Sequence, residues 1–534
     1  MPKTSSRRTF LQGAAALTAT GSSAWCASRP KESGRVNVLF LMTDEQHYRS
    51  LSSTGNSYVE TPHMDRIGRE GARFDNATCV TPYCSPSRAS IITGLYPHAH
   101  GILQNVSPGR NNQPPLDPEA FANTECTLHG EGYTTVHRGK WHLGNPGDFP
   151  CYESWSYASK TPQGYRRFLD ERLPASKFAG HPSPARSLGR PVEMIPAVEK
   201  GYHEFHAIPN MRVAYISTIG RSLVPAELLP ETQITDQVIG AIEQHAGDNF
   251  MITASWSPPH DLWVMPEPYY SMVPRDRIEL PGSFEMPAWD RNGPSKRLGD
   301  IMGREGIREY AAIYHGMVKY IDDQLGRVLA KLDELNLADE TLVIFTTDHG
   351  DMVGAHGCIG KSIFSFYDDL VRIPLLARLP GRIPAGTIVR EPVSQVDFMP
   401  TILDYVGLPA PEKIHGRSLR PLLEGRPVSW REHAFCQRAG TGRMLRTEQY
   451  KYFCRTDGKV VALYDLEDDP HEDRNLADEP GNKALVRRMH GRLLEVMDED
   501  GDPMLASLCC NSALVPLQAQ SISRLMPRAA NAST

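Results

Sequence analysis

Three absences frame this sequence. The first is a basic excess: 57 Lys and Arg stand against 63 Asp and Glu, a formal net charge of -6. Neither nucleic acid nor an anionic membrane surface has an electrostatic footprint to bind. An anionic substrate would have to be drawn in by local charge. The second is paired cysteine spacing. The ten cysteines, at 26, 79, 84, 126, 151, 358, 436, 454, 509 and 510, include no CxxC pair, which argues against a structural zinc site. Their spacing does not say which of them join as disulfides. The third is an apolar run of the about 20 residues that a membrane span needs. There is also no internal repeat.

What is present begins with an address. Ser6-Arg7-Arg8-Thr9-Phe10-Leu11 is a twin-arginine pattern, followed by an Ala-rich, mildly apolar stretch over 11–25. Residues 1–30 read as a signal peptide, too short and too polar for a span. Trp25 before Cys26 makes a poor lipobox. The mature chain is therefore expected outside the cytoplasm, periplasmic or secreted.

The mature sequence opens with the apolar run Val36-Asn37-Val38-Leu39-Phe40-Leu41-Met42, which stops at Thr43-Asp44-Glu45-Gln46. A second run, Thr341-Leu342-Val343-Ile344-Phe345, stops at Thr346-Thr347-Asp348-His349-Gly350. Short uninterrupted runs of this kind suit strands buried on both faces. Between them lie helical patterns over 62–71, with Thr61 as the expected cap, and over 310–335. Strands alternating with helices predict an α/β fold with a large, mostly parallel sheet sandwiched by helices. Sites in such sheets form beyond the carboxyl ends of the strands. Asp44, Glu45, Asp348 and His349 all fall there.

Three regions follow the leader. Residues 35–430 form the large domain, with a loop-rich insertion at 151–215 that is dense in Pro, Gly, His and aromatics. Residues 431–515 carry short strand patterns near 443–446, 451–454 and 460–464 and a helix over 482–497, a smaller C-terminal α+β unit. Residues 516–534 read as a polar, poorly ordered tail.

Cys84-Ser85-Pro86-Ser87-Arg88 is the segment richest in chemistry. Pro86 suits the first turn of a helix, with Ser85 as its expected cap. Cys84 then lies at a helix N-terminus, which favours a nearby anion. Arg88, one turn on, can face back to the same spot.

Around this segment the sequence resembles the sulfatase family of the alkaline-phosphatase superfamily. The likeness runs through Thr81-Pro82-x-Cys84-Ser85-Pro86-Ser87-Arg88-Ala89-Ser90-x-x-Thr93-Gly94, Tyr96-Pro97-His98-x-His100-Gly101 and Gly139-Lys140-Trp141-His142-Leu143-Gly144. It continues through Pro258-Pro259-His260-Asp261, Thr347-Asp348-His349-Gly350, Gly354-x-His356-Gly357 and Gly360-Lys361. Near the C-terminus it includes Leu463-Tyr464-Asp465-Leu466-x-x-Asp469-Pro470-x-Glu472 and Asn475-Leu476.

The resemblance implies hydrolysis of a sulfate ester, with a sulfated carbohydrate as the expected substrate. It implies that Cys84 is oxidised to formylglycine by a dedicated maturation enzyme, before export if the folded protein is what crosses the membrane. It implies one divalent metal, Ca²⁺, held by Asp44, Glu45, residue 84, Asp348 and His349; oxygen donors suit that ion. Glu45 stands where the family commonly has a second Asp, and His349 where relatives carry Asn or His. Arg88 is implied to hold residue 84, Lys140 and Lys361 to grip sulfate oxygens, His142 to act as base and His260 as acid. Imidazoles suit both tasks because they titrate near neutrality. His98, His100 and His356 read as structural. A phosphonate monoester or phosphodiester hydrolase of the same superfamily, or a choline or aryl sulfatase, are the neighbouring readings. An inactive binding protein on the same fold is disfavoured by the intact Cys84, Arg88, lysines and histidines.

Overall fold

The computed structural model describes residues 34–509 except 108, 110, 287, 289–292, 363–364, 457–460 and most of 150–218, where 151, 154–156, 168–169, 171–173 and 192–194 are described. The leader, nearly all of the 151–215 insertion and the 516–534 tail thus lie outside the described residues. Among the described residues no helix is long and apolar enough to cross a membrane.

Among the described residues eight strands make the main sheet, in the order Thr387–Val389, Ala72–Phe74, Leu375–Arg378, Thr341–Thr347, Asn37–Asp44, Phe250–Pro259, Thr134–Gly139, Ser154–Ser156. Leu375–Arg378 runs antiparallel to both neighbours, and the other pairings are parallel. The two apolar runs are adjacent central strands, every residue of each buried. Alternation splits each strand between two cores. Val38, Phe40 and Met42 enter one, while Leu39 and Leu41 enter the other. Each fully buried side chain of this size contributes roughly 1.5–3 kcal/mol.

Helices cover both faces. Pro294–Glu334 presents Tyr310, Ile313, Tyr314, Met317, Ile321, Leu325, Val328 and Leu332 to one core, a three-and-four spacing. It begins well before the expected 310, because Pro294 opens it and it continues across a break at Gly303 (φ 64°). Phe398–Val406 packs on the opposite face, with Phe398 6.3 Å from the ring of Phe40.

Two expected caps are corrected. Thr61 precedes the helix Pro62–Glu70 but does not cap it: its hydroxyl accepts from Ser52 N at 2.9 Å, and Asp322 Oδ1 instead accepts from His63 N and Met64 N. Ser85 is not a cap either, since the helix Cys84–Thr93 starts one residue earlier and Tyr83 holds the capping position. The Ser85 hydroxyl donates to His142 O at 2.5 Å and accepts from Val106 N.

The C-terminal unit is a four-stranded antiparallel sheet, Ala434–Arg438, Gly442–Arg446, Tyr450–Arg455 and Val461–Asp465, one strand more than the pattern suggested. The helix Lys483–Glu499 lays Val486, Met489, Leu493, Leu494 and Met497 into its core. Buried ion pairs fasten this sheet to the rest: Asp368 meets Arg446 at 2.9 Å and Lys451 at 2.6 Å. Cys126 and Cys151 form a disulfide, while Cys79, Cys84, Cys358, Cys436 and Cys454 are buried as thiols.

Candidate active site

The central strands end in register. Thr43 pairs with Thr347, so Asp44 and Asp348 leave the sheet side by side, although 304 positions separate the paired residues. On the other flank, Gly139 and Met42 both align with Ser255, which delivers Lys140 and the 256–260 segment to the same edge. Gly139 must be glycine: at φ +98° a Cβ would lie 1.9 Å from Ser255 O.

The helix Cys84–Thr93 points its first turn into this edge. Its fixing groups come from the chain around it. Ser87 Oγ donates to Asp348 O at 2.6 Å, and Gln395 Nε2 donates to the same oxygen at 2.7 Å and to Thr347 O at 3.0 Å. Arg88 spends its guanidinium beneath Cys84: Nη2 on Asp44 Oδ2 at 2.6 Å, Nε on Asp348 Oδ2 at 2.9 Å, Nη1 on Lys140 O and Ser255 Oγ, each at 2.9 Å.

Above it, Cys84 Sγ lies 3.2 Å from His349 Nε2, 3.5 Å from Lys361 Nζ and 3.8 Å from Asp44 Oδ1. Lys140 Nζ reaches Asp44 Oδ2 at 2.7 Å. Lys361 Nζ is 3.0 Å from both Glu45 Oε2 and His260 Nε2. His260 Nδ1 donates to Asp261 O at 2.7 Å. The ring of His142 is in hydrogen-bonding contact with Cys84. All ten residues singled out in the sequence thus converge on one pocket. His98, His100 and His356 lie elsewhere: His98 bonds Gln437, His100 bonds Ser90, and His356 stacks on Tyr367.

Charge is crowded here. Burial and Asp44 push the Asp348 carboxyl up to about 6. Burial works against Asp44 too, yet Lys140, His260, Arg88 and Lys361 hold it well below the carboxylate range. Burial and Asp44 raise the Cys84 thiol, but Lys361, Lys140 and His349 outweigh them and pull it well down. Burial pushes His142 down, leaving a neutral ring that can accept a proton. Burial and both lysines oppose a charge on His260, but Asp261 and Asp44 prevail and hold it well above its usual value.

The donor set fits a divalent cation. Ligand atoms of Asp44, Cys84, Asp348 and His349 all lie within 4.8 Å of one another and are buried. His349 Nδ1 donates to Gly350 O at 2.9 Å, which leaves Nε2 as the lone-pair nitrogen facing the cluster. Asp348 and the Cys84 sulfur push His349 up to about 10 against the effect of burial, a field in which a cation can take the proton's place. Glu45 is in the same pocket but outside that four-donor group. It clusters with Asp44 and His260, and its left-handed backbone (φ 66°) turns the side chain toward Lys361.

Several contributors carried no sequence signal of their own. Ser255 and Gln395 are polar residues in buried segments, and Tyr314, whose hydroxyl donates to Glu45 O at 2.8 Å, reads as one more apolar-face aromatic. Only their neighbours in space reveal them.

Known proteins resemble this chain in sequence and in fold. The Sulfatase family model matches residues 36–408, and a model described as N-sulphoglucosamine sulphohydrolase, C-terminal, matches 354–499. An N-acetylglucosamine-6-O-sulfatase of Bacteroides thetaiotaomicron is 28% identical over 90% of this chain and 89% of its own length. The multifunctional alkaline phosphatase superfamily protein PehA of Trinickia caryophylli is 28% identical over 85% of this chain and 93% of its own. Among solved structures, a phosphonate monoester hydrolase of Silicibacter pomeroyi superposes with a TM-score of 0.68 at 24% identity, covering 88% of this chain and 97% of that one. The first of these models takes in every strand of the main sheet and all ten converging residues, and by it the chain belongs to the Sulfatase family of hydrolases.

Proposed function

We propose that this chain removes sulfate from a sulfated carbohydrate, with Cys84 matured to formylglycine and one Ca²⁺ bound beside it. The observation that carries the reading is the convergence of Lys140, Lys361, His142 and His260 on one buried cysteine pinned above Arg88. The carbohydrate is supported by the C-terminal family model and by the glucosamine sulfatase among the relatives.

A hydrated formylglycine supplies two hydroxyls on one carbon, one to attack sulfur and one to let sulfate leave afterwards. A Ca²⁺ there would be held by Asp44, Asp348, His349 and residue 84, with Glu45 alongside, and would supply Lewis acidity. The chain's own groups do the rest. Arg88 holds residue 84 in place. Lys140 and Lys361 grip sulfate oxygens and offset their charge. His142, neutral through burial, takes a proton at residue 84, and His260 gives one to the departing alcohol oxygen. The twin-arginine leader has the chain exported, and a maturation enzyme acts on Cys84 before that.

His260 separates substrates by leaving group. A nitrophenolate leaves without a proton, whereas a sugar alkoxide does not. His260→Ala should cut turnover of a sugar sulfate by about 100- to 10,000-fold while costing an aryl sulfate far less. His142→Ala should slow both alike. Steady-state kinetics on the paired esters decides it; equal losses for His260→Ala would reduce that histidine to a sulfate-binding group. A second reading, a phosphonate monoester or phosphodiester hydrolase, keeps a foothold in the relative named as multifunctional, since the same cations would hold any tetrahedral oxyanion.

A further inference from the structure

Lys361 reaches the site from a loop, and a lysine on a four-carbon stem is only as well placed as the backbone that carries it. That loop is closed on itself by Met352 N donating to Gly360 O at 3.1 Å and Gly354 N to Cys358 O at 3.0 Å. Its outer side rests on the first turns of the long helix. Ser295 Oγ donates to Ile359 O at 2.6 Å, and Gly299 packs so closely that a Cβ there would be 1.9 Å from Gly357 O.

Its inner side hangs on one hydroxyl. Tyr310 OH donates to the carboxylate of Asp351 in a short hydrogen bond and accepts from Gly360 N at 3.3 Å. The same Asp351 oxygen accepts from Val353 N at 2.8 Å, and both side chains are fully buried. The ring of Tyr310 is steadied edge-on by Trp263, with centroids 4.6 Å apart. Gly360 turns left-handed at φ +66°, and the next residue sends its ammonium to Glu45, His260 and Cys84.

We propose that Tyr310 and Asp351 are positioning residues for Lys361. The Tyr310 hydroxyl, acting as donor to one end of the loop and acceptor from the other, sets where the Lys361 ammonium meets the substrate's oxyanion. Neither residue touches the substrate. The inference rests on the reading of Lys361 as an oxyanion-gripping group.

A double-mutant cycle tests it, with Tyr310→Phe, Lys361→Ala and the pair. Tyr310→Phe keeps the ring packed and removes only the link. It should lower kcat/KM by about 10- to 100-fold, the scale on which a small misplacement costs rate. It should weaken inhibition by inorganic sulfate in parallel. In the Lys361→Ala background the same change should cost less than about threefold, because coupled residues are non-additive. Asp351→Asn, which keeps an acceptor oxygen, should stay near wild type. An equal loss in both backgrounds, or no loss in either, overturns the proposal. Should Tyr310→Phe lose its cooperative thermal unfolding, Asp351→Ala runs the same cycle. The cycle uses whichever ester the wild type turns over, sulfate or phosphonate. A wild type that ignores sulfate esters therefore counts against the proposed function, and an additive cycle counts against this inference.

Discussion

Replacing Cys84 with alanine should abolish ester hydrolysis, by at least about 10,000-fold in kcat, with the fold intact. The size follows from removing the proposed nucleophile of a covalent mechanism, where residual rate comes only from the surrounding charges. The fold survives because the Cys84 side chain is a small buried group whose loss leaves the helix and its anchors, Ser87 and Arg88, untouched. In the active wild type, mass spectrometry of the peptide spanning residue 84 should find an aldehyde in place of the thiol. Full activity in protein whose residue 84 is entirely unmodified cysteine would remove the formylglycine from the account.

Arg88 carries the second large effect, and it falls on stability and activity together. One guanidinium serves Asp44, Asp348, the Lys140 carbonyl and Ser255. Arg88→Ala leaves two fully buried carboxylates without that partner, and breaking a buried pair on one side costs about 3–5 kcal/mol. The melting temperature should fall, and kcat/KM should drop by about a thousandfold or more as Asp44, Asp348 and residue 84 lose their common brace. Arg88→Lys should not rescue it, since a single ammonium cannot span four acceptors in a planar fork. Calorimetry and kinetics on both variants check this. A lysine variant within tenfold of wild type would show that the geometry matters less than the charge.

How much of this could be read from the chain alone depends on how local each feature is. The two central strands were legible because 36–42 and 341–345 are unbroken apolar runs, and buried strands need nothing else. Their register was not, yet it decides everything: pairing Thr43 with Thr347 is what sets Asp44 beside Asp348. Local capping logic failed where a distant group claimed the same atoms. Asp322 serves the amides after Thr61, and the His142 carbonyl takes the Ser85 hydroxyl. The roles of Lys140, His142, His260 and Lys361 came from resemblance, not from spacing, because loops following three different strands deliver them. Asp351 and Tyr310 were in plain view as a loop acid and a core aromatic. Only the fold puts one hydroxyl between them and Gly360. The Cys126–Cys151 disulfide likewise has no signature in the cysteine spacing.

The central claim is that the oxyanion gripped above Arg88 is a sulfate ester on a carbohydrate. The most direct measurement is kcat/KM of the matured enzyme on a panel of sulfated mono- and oligosaccharides, set against phosphonate monoesters and phosphodiesters under the same conditions. The account predicts that the best sulfated sugar leads the best phosphorus ester by about 100-fold or more, a difference of about 2.7 kcal/mol in transition-state binding. A phosphonate or phosphodiester turned over faster than every sulfated sugar would contradict it.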